Sequence, residues 1–384
     1  MDILHTVEHY FPSRGGAQEV VRQLSERLVR RGHRVTVATS RHPDRRRAEL
    51  NGVRIEAFDI AGNAARGITG EVDRYRAFLR GSPFHVILNY AAQQWTTDLT
   101  LPLLDELAMV KVLVPCGYSG LSSPDYREYF SALPAALRRY DHIVYLSDTY
   151  RDAVFGRQHG IEKASVIPNA AAEEEFLAPP RDYRQRTGIG DRFLLLCVSN
   201  HYPDKGHDAV LEAFRRARIR NAVLAIVGAA PTTSRGCVAR CTWRARFQNL
   251  TALGRKQVRI VTGLPREDVV SAFQESDLFV FGSRVECSPL VVFESMAAGL
   301  PFISTDCGNV AELVERTGAG EIVAGASQMA GAIEALASDS ARRQEMGARG
   351  ARAWREHYTW DRIVDQYERL YRELVAARET GLKR

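Results

Sequence analysis

The chain has 384 residues with ordinary shares of hydrophobic (45%) and charged (26%) residues, and its formal net charge is +6. These values are typical of a soluble globular protein, and the length favours two domains over one. Because no apolar run reaches about 18 residues, no membrane-spanning helix is expected. The first seven residues lack a signal-peptide layout, and the six cysteines form no C-x-x-C pair. We therefore expect a reduced, cytoplasmic protein.

Short β-branched runs alternate with longer amphipathic segments in the first half of the chain, the pattern of a parallel sheet with crossover helices. A helix is predicted at 17–31, where Ala17, Val21, Leu24 and Leu28 form one apolar stripe. Strands are predicted at 3–7, 35–39, 53–58, 85–89, 112–114, 143–146 and 165–167. The prolines and acidic residues of 168–180 then predict a hinge.

The alternation resumes after this hinge. Strands are predicted at 193–199, 222–227, 258–262, 278–281, 302–304 and 321–323, and a helix at 360–378. Near-continuous apolar runs of this kind are typical of strands covered on both faces. The fold class is therefore predicted as α/β, with two doubly wound Rossmann-like domains, 1–175 and 190–357, facing each other across a cleft. Ligand is expected at the carboxyl ends of the strands.

The segment 284–301 carries the most information about function. Ser288 is predicted as the N-cap of a helix and Pro289 as its first residue, while Gly299 ends it. The backbone amides of Leu290 and Val291 then lie at the positive end of that helix, ready for an anion.

Two carboxylates, Glu286 and Glu294, stand eight positions apart in the same segment. Carboxylates beside an anion-binding amide pair are suited to accept hydrogen bonds from sugar hydroxyls. An anionic group joined to a hydroxyl-rich body describes a nucleotide-sugar. An exposed helix face is the alternative, but the apolar residues around the two glutamates fit it badly.

Arginine is concentrated between residues 29 and 54, where eight arginines stand against two acidic residues, a local charge of +6. Such a patch, Arg30 to Arg54, could dock on the anionic inner face of a membrane or on an acidic substrate. It could equally be a solvated surface. Nucleic acid is not an expected partner, because no aromatic residues interleave with the arginines.

Four features, in this order along the chain, resemble a known family. They are a glycine-rich loop at 13–17, Lys205-Gly206 after the first strand of the second half, the Glu286-x7-Glu294 segment with Pro289, and Trp354…Tyr358-Thr-Trp360 before the last helix. Over nearly its whole length the chain resembles the retaining glycosyltransferases of family 4, which have the two-Rossmann (GT-B) architecture. The resemblance implies that residues 358–384 form a helix that packs back on the first domain.

The resemblance also implies roles for individual residues. Glu286 would hold hydroxyls of the donor sugar and Glu294 the ribose, while Lys205 would neutralise the departing diphosphate. Lys205 and Glu286 are the predicted catalytic residues. The wider donor-binding set adds glycines that let phosphate approach and backbone amides of the helix start: Gly15, Gly16, Asn200, Cys287, Ser288, Pro289, Leu290, Val291 and Glu294.

The chain departs from the family at two places. Asn200 stands where many relatives carry an arginine. Residues 112–119 contain no histidine, although many relatives have one near the reacting sugar. Cys116, Tyr118 and Ser119 are the acceptor-side candidates, by position only.

No metal or cofactor is expected. The sequence contains no Asp-x-Asp, and no His/Cys/carboxylate cluster has metal-ligand spacing. Cys237 and Cys241, four apart in a helix predicted at 232–253, have no neighbouring ligands in the sequence, so packing is their expected role.

The function predicted is a retaining, metal-independent glycosyltransferase that moves a sugar from a nucleotide-sugar to a hydroxyl acceptor on a glycan, lipid or small molecule. Two alternatives remain open at this point. One is a nucleotide-sugar 2-epimerase or a phosphorylase on the same architecture. The other is a non-catalytic protein that binds nucleotide-sugar, suggested by Asn200 and the missing histidine.

Overall fold

The computed structural model describes residues 1–13, 15–230 and 236–381. Two compact units divide the chain. The first unit contains Met1–Asn169 and the residues from Trp360 onward, and the second contains Ala170–Thr359. No helix among the described residues is long and apolar enough to cross a membrane.

The first unit is built on an eight-stranded sheet with the order β10-β9-β8-β7-β1-β2-β4-β3, parallel except for the β3–β4 pair. Two short strands, β5 and β6, form a separate hairpin. The strands are β1 Asp2–Thr6, β2 Arg34–Ser40, β3 Glu49–Leu50, β4 Val53–Phe58, β5 Ile60–Asn63, β6 Gly67–Gly70, β7 Val86–Tyr90, β8 Val110–Val114, β9 His142–Tyr145 and β10 Ala164–Val166. The helices are α1 Gly16–Arg30, α2 Val72–Gly81, α3 Trp95–Asp98, α4 Arg127–Leu137, α5 Arg151–Gln158 and α15 Trp360–Gly381.

The last helix, α15, packs on the first unit through one apolar face and a line of ion pairs. Tyr367 and Tyr371 are buried, and the hydroxyl of Tyr371 lies 3.4 Å from Nε2 of His5 on β1. Arg31 at the end of α1 contacts Asp365 at 2.6 Å. The amphipathic pattern of α15 thus buries its apolar stripe against the first sheet, as the family resemblance implies.

The second unit is a six-stranded, fully parallel sheet with the order β13-β12-β11-β14-β15-β16. This is the doubly wound order of dinucleotide-binding domains. The strands are β11 Phe193–Val198, β12 Ala222–Val227, β13 Lys256–Val261, β14 Leu278–Phe281, β15 Phe302–Thr305 and β16 Gly320–Val323. The helices are α6 Glu173–Phe176, α7 Tyr183–Arg186, α8 His207–Arg216, α9 Val238–Thr251, α10 Arg266–Gln274, α11 Leu290–Ala297, α12 Val310–Thr317, α13 Ala326–Ser338 and α14 Ser340–His357.

Alternate residues of β11 enter two separate hydrophobic cores, one on each face of this sheet. Leu194 and Leu196 join the cluster with α10, α11 and α14, whereas Leu195 and Cys197 join the cluster with α8, α9 and α13. All four side chains are fully buried. The near-continuous apolar run at 193–198 therefore has the predicted cause, which is burial on both faces.

The predicted strands agree with the observed strands to within two residues at each end. Three short strands, β3, β5 and β6, were not among the predictions, because they are half-exposed and lack an apolar run. The helix predicted at 232–253 is observed from Val238 to Thr251. Its predicted first residues, 232–235, lie outside the described part of the chain, as does Arg14 of the glycine-rich loop.

Candidate active site

The sheet of the second unit reverses its strand order between β11 and β14. β11 pairs with β12 on one side and with β14 on the other. In a doubly wound sheet the connections leave two such strands toward opposite faces, so a crevice forms beyond their carboxyl ends. Residues 199–207 follow β11 and residues 282–294 follow β14, so both sequence motifs of this unit flank that crevice. We call this place the switch-point site.

Two glycines hold these segments against each other. Gly206 has a φ of +64°, and a Cβ there would collide with the carbonyl oxygen of Gly282. On the same loop, the carbonyl oxygen of Asp204 accepts hydrogen bonds from the amide of Arg284 (2.9 Å) and the hydroxyl of Ser283 (3.3 Å). Only glycine at 206 permits this left-handed conformation with such close backbone contact.

Lys205 and Glu286 meet in the switch-point site. Nζ of Lys205 lies 2.6 Å from Oε1 of Glu286, a short charge-assisted hydrogen bond. The two side chains retain 27% and 15% of their accessible surface. They are therefore fixed by each other yet remain open to a molecule in the crevice. The structure brings together the two residues predicted to be catalytic, although 81 positions separate them in the chain.

The helix that follows Glu286 begins one residue later than predicted. α11 starts at Leu290, and Pro289 occupies the N-cap position with φ −70° and ψ 117°. The hydroxyl of Ser288 instead accepts a hydrogen bond from Nδ2 of Asn309, at 3.0 Å. The prediction of Ser288 as N-cap and Pro289 as first helical residue is therefore wrong. Asn309 lies in the loop after β15, so the local sequence around Ser288 gives no indication of this tertiary contact.

The start of α11 nevertheless presents backbone donors. The amide of Val292 donates a hydrogen bond to the carbonyl of Pro289 at 3.1 Å, and the amides of Leu290 and Val291 precede it in the chain. They lie at the positive end of the helix, where an anion is stabilised. At the other end Gly299 adopts a φ of +65°, which confirms it as the residue that stops the helix.

Glu294 belongs to an ion-pair chain that the sequence reasoning missed. Its Oε1 lies 2.6 Å from the guanidinium of Arg266 at the start of α10, and the same guanidinium lies 2.6 Å from Glu175 on α6. Burial opposes the charge of Arg266, but the two carboxylates more than offset it and raise the pKa of Arg266. Glu294 is buried in α11 and is thus oriented by Arg266. Sequence spacing gives no sign of this contact, since Arg266 follows β13.

Asn200 lies in the loop between β11 and Lys205. Its Oδ1 accepts a hydrogen bond from the amide of Ala229, after β12, at 3.3 Å. The side chain thus joins the carboxyl ends of two neighbouring strands and brings no positive charge. Arg266 is the cation near the Glu294 end of the motif, and Lys205 is the cation at the Glu286 end.

The glycine-rich loop belongs to the first unit. Gly15 is the N-cap residue of α1, in an extended conformation, and Gly16 is the first helical residue. A Cβ on Gly16 would meet no atom within 4 Å, and one on Gly15 would meet only the flexible end of Gln18. The backbone of this loop therefore does not itself demand glycine.

The three acceptor-side candidates lie together after β8. Cys116 and Tyr118 have left-handed φ values of 60° and 46°, an uncommon and strained conformation for residues with side chains. Tyr118 packs against Phe130 and is almost fully buried, whereas Ser119 is exposed. Burial raises the pKa of the Cys116 thiol to about 12, so this thiol is protonated at neutral pH.

A buried carboxylate holds this strained turn. Oδ2 of Asp152, on α5, accepts a hydrogen bond from the amide of Gly117 at 2.9 Å. Burial raises the pKa of Asp152 to about 6. After the neighbouring strand β7, Asp98 accepts from the amide of Ala64 at 2.8 Å, and burial raises its pKa to about 6 as well. Neither carboxylate was singled out in the sequence, where each resembles an ordinary surface aspartate in a helix.

The arginine-rich region is partly neutralised within the first unit. Arg31, Arg34, Arg41 and Arg54 each lie within 4 Å of an aspartate or glutamate oxygen, while Arg45 donates to the backbone carbonyls of residues 10, 11 and 40. The exposed side chains without such a partner among the described residues are those of Arg30, Arg46 and Arg47. The local charge available to a partner is thus smaller than the sequence count of +6.

Comparison with known proteins agrees with this fold. The family described as glycosyl transferases group 1 matches residues 181–353, and that described as glycosyl transferase 4-like domain matches residues 15–170. The chain is 26% identical to GDP-mannose-dependent alpha-(1-6)-phosphatidylinositol monomannoside mannosyltransferase of Mycobacterium tuberculosis, over 98% of this chain and 99% of that protein.

Solved structures resemble the chain over nearly its whole length. Sucrose-phosphate synthase from Thermosynechococcus elongatus has a TM-score of 0.79 at 20% identity, covering 98% of this chain and 99% of that one. HepE from Anabaena, in complex with UDP and glucose, has a TM-score of 0.78 at 16% identity, covering 97% and 100%. The fold is thus that of the GT-B glycosyltransferases. The chain belongs to the family-4 type of these enzymes and is a glycosyltransferase.

Proposed function

We propose that the protein transfers a sugar from a nucleotide-sugar to a hydroxyl acceptor with retention of configuration and without a catalytic metal ion. The observation that carries the proposal is the pairing of Lys205 with Glu286 at 2.6 Å in the switch-point site, beside the start of α11. It unites a cation, a hydroxyl-accepting carboxylate and anion-binding amides, and these are the groups that a sugar diphosphate requires.

The donor end of the reaction follows from these groups. The diphosphate would lie against Lys205 and the amides of Leu290 and Val291, which stabilise the negative charge that grows as the sugar–phosphate bond breaks. Glu286 would then exchange part of its contact with Lys205 for hydroxyls of the sugar. Glu294, held by Arg266, would accept hydrogen bonds from the ribose. No residue in this set depends on a bound cation.

Retention rests on the family resemblance. Glu286 is engaged with Lys205, and no second carboxylate is assigned a position beside the reacting carbon, so a covalent glycosyl-enzyme step is not part of the proposal. Attack of the acceptor hydroxyl on the same face that the diphosphate leaves, with a phosphate oxygen receiving the proton, needs no enzyme nucleophile. This is the mechanism proposed for the family.

The relatives give support of unequal weight. The mycobacterial relative is named for GDP-mannose and for a phosphatidylinositol mannoside acceptor, and the Anabaena protein was solved with UDP and glucose. Both names fit a nucleotide diphosphate at the switch-point site, and they differ in the base. We therefore propose the nucleoside diphosphate-sugar class as donor and leave the base to the experiment.

The test is a binding screen followed by turnover. GDP, UDP, ADP and dTDP, with their sugar conjugates, are titrated by calorimetry, and thermal unfolding is followed because a bound ligand raises the apparent stability. We expect one base to bind selectively, and addition of Mg²⁺ or Mn²⁺ to leave its affinity and the rate of transfer unchanged. Absence of binding to every nucleotide would overturn the proposal in favour of a non-catalytic protein. Conversion of the donor without acceptor would favour an epimerase.

A further inference from the structure

Four potential metal ligands meet in the second unit, outside the groups assigned to the donor. His201, His207, Cys237 and Cys241 are all buried, and one ligand atom from each lies within 4.8 Å of the others. Two histidines and two cysteines form the ligand set of many structural zinc sites. Among the described residues this is the group of His, Cys, Asp and Glu side chains that could hold a metal ion.

The three distances from Cys237 to the other ligand atoms match a tetrahedron around zinc. Zinc–sulfur bonds of about 2.3 Å and zinc–nitrogen bonds of about 2.0–2.1 Å place two sulfurs about 3.8 Å apart and a sulfur and a nitrogen about 3.6 Å apart. The sulfurs of Cys237 and Cys241 are 3.7 Å apart. Sγ of Cys237 lies 3.3 Å from Nδ1 of His207 and 3.7 Å from Nδ1 of His201. The other three pairs lie within 4.8 Å, so a metal ion at the centre would draw these ligands together by about 1 Å at most.

Local structure explains how residues so far apart in sequence converge. His201 follows β11, and His207 is the first residue of α8. Cys237 is the N-cap residue of α9, and Cys241 lies one turn further on the same face of that helix. The amide of Cys237 also donates to the carbonyl of His201 at 2.9 Å, so the backbones are joined independently of any metal.

The hydrogen bond around His207 orients it as a metal ligand. Its Nε2 lies 2.7 Å from the hydroxyl of Ser199, which leaves Nδ1 facing Cys237. Metal-bound histidines commonly use their second nitrogen in this way. Nε2 of His201 is buried and has no hydrogen-bond partner among the described residues, so only Nδ1 of this buried ring has a polar contact, with Sγ of Cys237.

Charge balance also suits zinc. Zinc binds histidine as the neutral imidazole and cysteine as the thiolate. Two thiolates and one divalent zinc sum to no net charge, and a buried site tolerates a neutral assembly far better than an unpaired ion.

We propose that His201, His207, Cys237 and Cys241 form a structural zinc site that ties the Lys205 loop to α9. Four protein ligands close the coordination sphere, so the metal has no open position for substrate and takes no part in the reaction. The two histidines stand at the ends of the segment 201–207, and Lys205 lies between them. Zinc would therefore fix both ends of the loop that carries the predicted phosphate-binding lysine.

The first test measures metal in the wild-type protein. We expect about one zinc per chain after purification without chelator, and release of that zinc by a mercurial that attacks thiolates. Replacement by Co²⁺ should give the intense visible bands of tetrahedral coordination and a thiolate charge-transfer band in the near ultraviolet. Protein that holds less than about a tenth of an equivalent of zinc, and shows no tetrahedral spectrum when Co²⁺ is added, would overturn the proposal. Stoichiometric iron or copper would overturn the assignment of zinc.

The second test assigns the ligands. Cys241→Ser and His207→Asn should each lower zinc content at least about tenfold, since loss of even an outer-shell partner costs this much affinity. Cys307→Ala is the control, because Cys307 is equally buried in the same unit and is not one of the four. It should keep its zinc. If a ligand variant fails to fold, the wild-type metal and cobalt measurements still decide, and a folded ligand variant with full zinc content would contradict the assignment.

The effect of zinc on donor binding rests on the proposed function, and the two can be tested separately. If zinc fixes the loop, apoprotein prepared with the mercurial and then reduced should bind the selected nucleotide diphosphate more weakly, and added zinc should restore the affinity. A zinc content near one with no nucleotide binding at all would leave the metal site standing and remove the proposed function.

Discussion

The two units share a parallel sheet with helices, yet they prepare a site in opposite ways. In the second unit the segments after β11, β13 and β14 carry paired charges, Lys205 with Glu286 and Arg266 with Glu294. In the first unit the turns after β7 and β8 have strained backbone, and the buried carboxylates Asp98 on α3 and Asp152 on α5 have raised pKa values. The paired charges of the second unit are suited to an ionic ligand. The strained turns and buried carboxylates of the first unit are suited to shaping an uncharged surface.

The difference has a physical cause. A diphosphate brings its own charge, so fixed cations and amides bind it with little dependence on its exact shape. Under the proposed function, an uncharged hydroxyl acceptor would instead be recognised by backbone shape and hydrogen bonds. The second unit therefore carries a motif that can be recognised in the sequence. The corresponding features of the first unit are backbone conformations and contacts that are spread over several loops.

The largest expected effect is on Lys205. Lys205→Ala should lower kcat about 10²–10³-fold, because it removes a cation from the departing diphosphate. Lys163→Ala, at an exposed lysine of the first unit, should leave kcat unchanged. Steady-state rates with the selected donor decide. A rate within twofold of the wild type would show that diphosphate charge is not stabilised here, and the contrast between the units would fail.

The two glutamates should affect different steps, Glu294 the binding of the nucleotide and Glu286 the turnover of the sugar donor. Glu294→Ala should weaken binding of the free nucleoside diphosphate roughly tenfold to a hundredfold, because unpaired ribose hydroxyls cost about 1–3 kcal/mol. Glu286→Ala should spare that affinity, since it frees Lys205 from its ion pair, and should instead lower turnover of the sugar conjugate. Glu294→Gln, which keeps an acceptor oxygen, is the matched control. Calorimetry that finds equal losses for both alanine variants would reject this division.

Asp152 tests the first unit. Asp152→Ala removes the acceptor for the amide of Gly117 and should destabilise the protein by about 1–3 kcal/mol. Asp152→Asn keeps an acceptor and removes the charge, so it should unfold at the same temperature as the wild type or higher at pH 7.5.

The difference in stability between the wild type and Asp152→Asn should depend on pH with a definite sign. The pKa of Asp152 is about 6 in the folded chain against an ordinary value of 3.8, so the carboxyl group contributes stability below pH 3.8 that is lost as pH rises through 6. The advantage of the asparagine variant over the wild type should therefore grow between pH 4 and pH 7, by up to about 3 kcal/mol. Parallel thermal unfolding curves of the two proteins across this range would contradict the raised pKa.

The smallest effect concerns the arginines. Because four of the eight are ion-paired, we expect only weak retention on phosphatidylglycerol vesicles at physiological salt, with about 1 kcal/mol from each free arginine near the surface. Co-sedimentation at low and physiological salt measures it, with Arg352→Glu on α14 as control. Strong pelleting that Arg46→Glu and Arg47→Glu abolish would restore a membrane role for this region.

The fold was predictable because periodicity dominates it. The strands at 53–58, 222–227 and 278–281 have the bounds that their apolar runs predict. The Glu286–Glu294 segment is still a predicted site, and the sequence indicates it because its spacing, its proline and its glycine are local features. Ser288 was assigned wrongly, since its partner Asn309 lies in the loop after β15, far away in sequence.

The remaining features depend on contacts that no short pattern contains. Arg266 reaches Glu294 from the end of β13, and His201 meets Cys237 across 36 positions. The Cys237-x3-Cys241 spacing was a usable signal, because it places both sulfurs on one helix face. The other two ligands, His201 and His207, could not be recognised in the sequence, because their spacing around a tight glycine turn is not a familiar metal-ligand spacing.

The docking of α15 on the first unit has a consequence for synthesis. The second unit is one continuous stretch, Ala170–Thr359, whereas the first is interrupted by it and closed by α15 through Arg31, His5 and Tyr371. Domains fold as units while the chain emerges from its amino end. The ribosome therefore synthesises the whole second unit before it synthesises α15, the helix that packs on the first unit. The first unit is begun first and completed last.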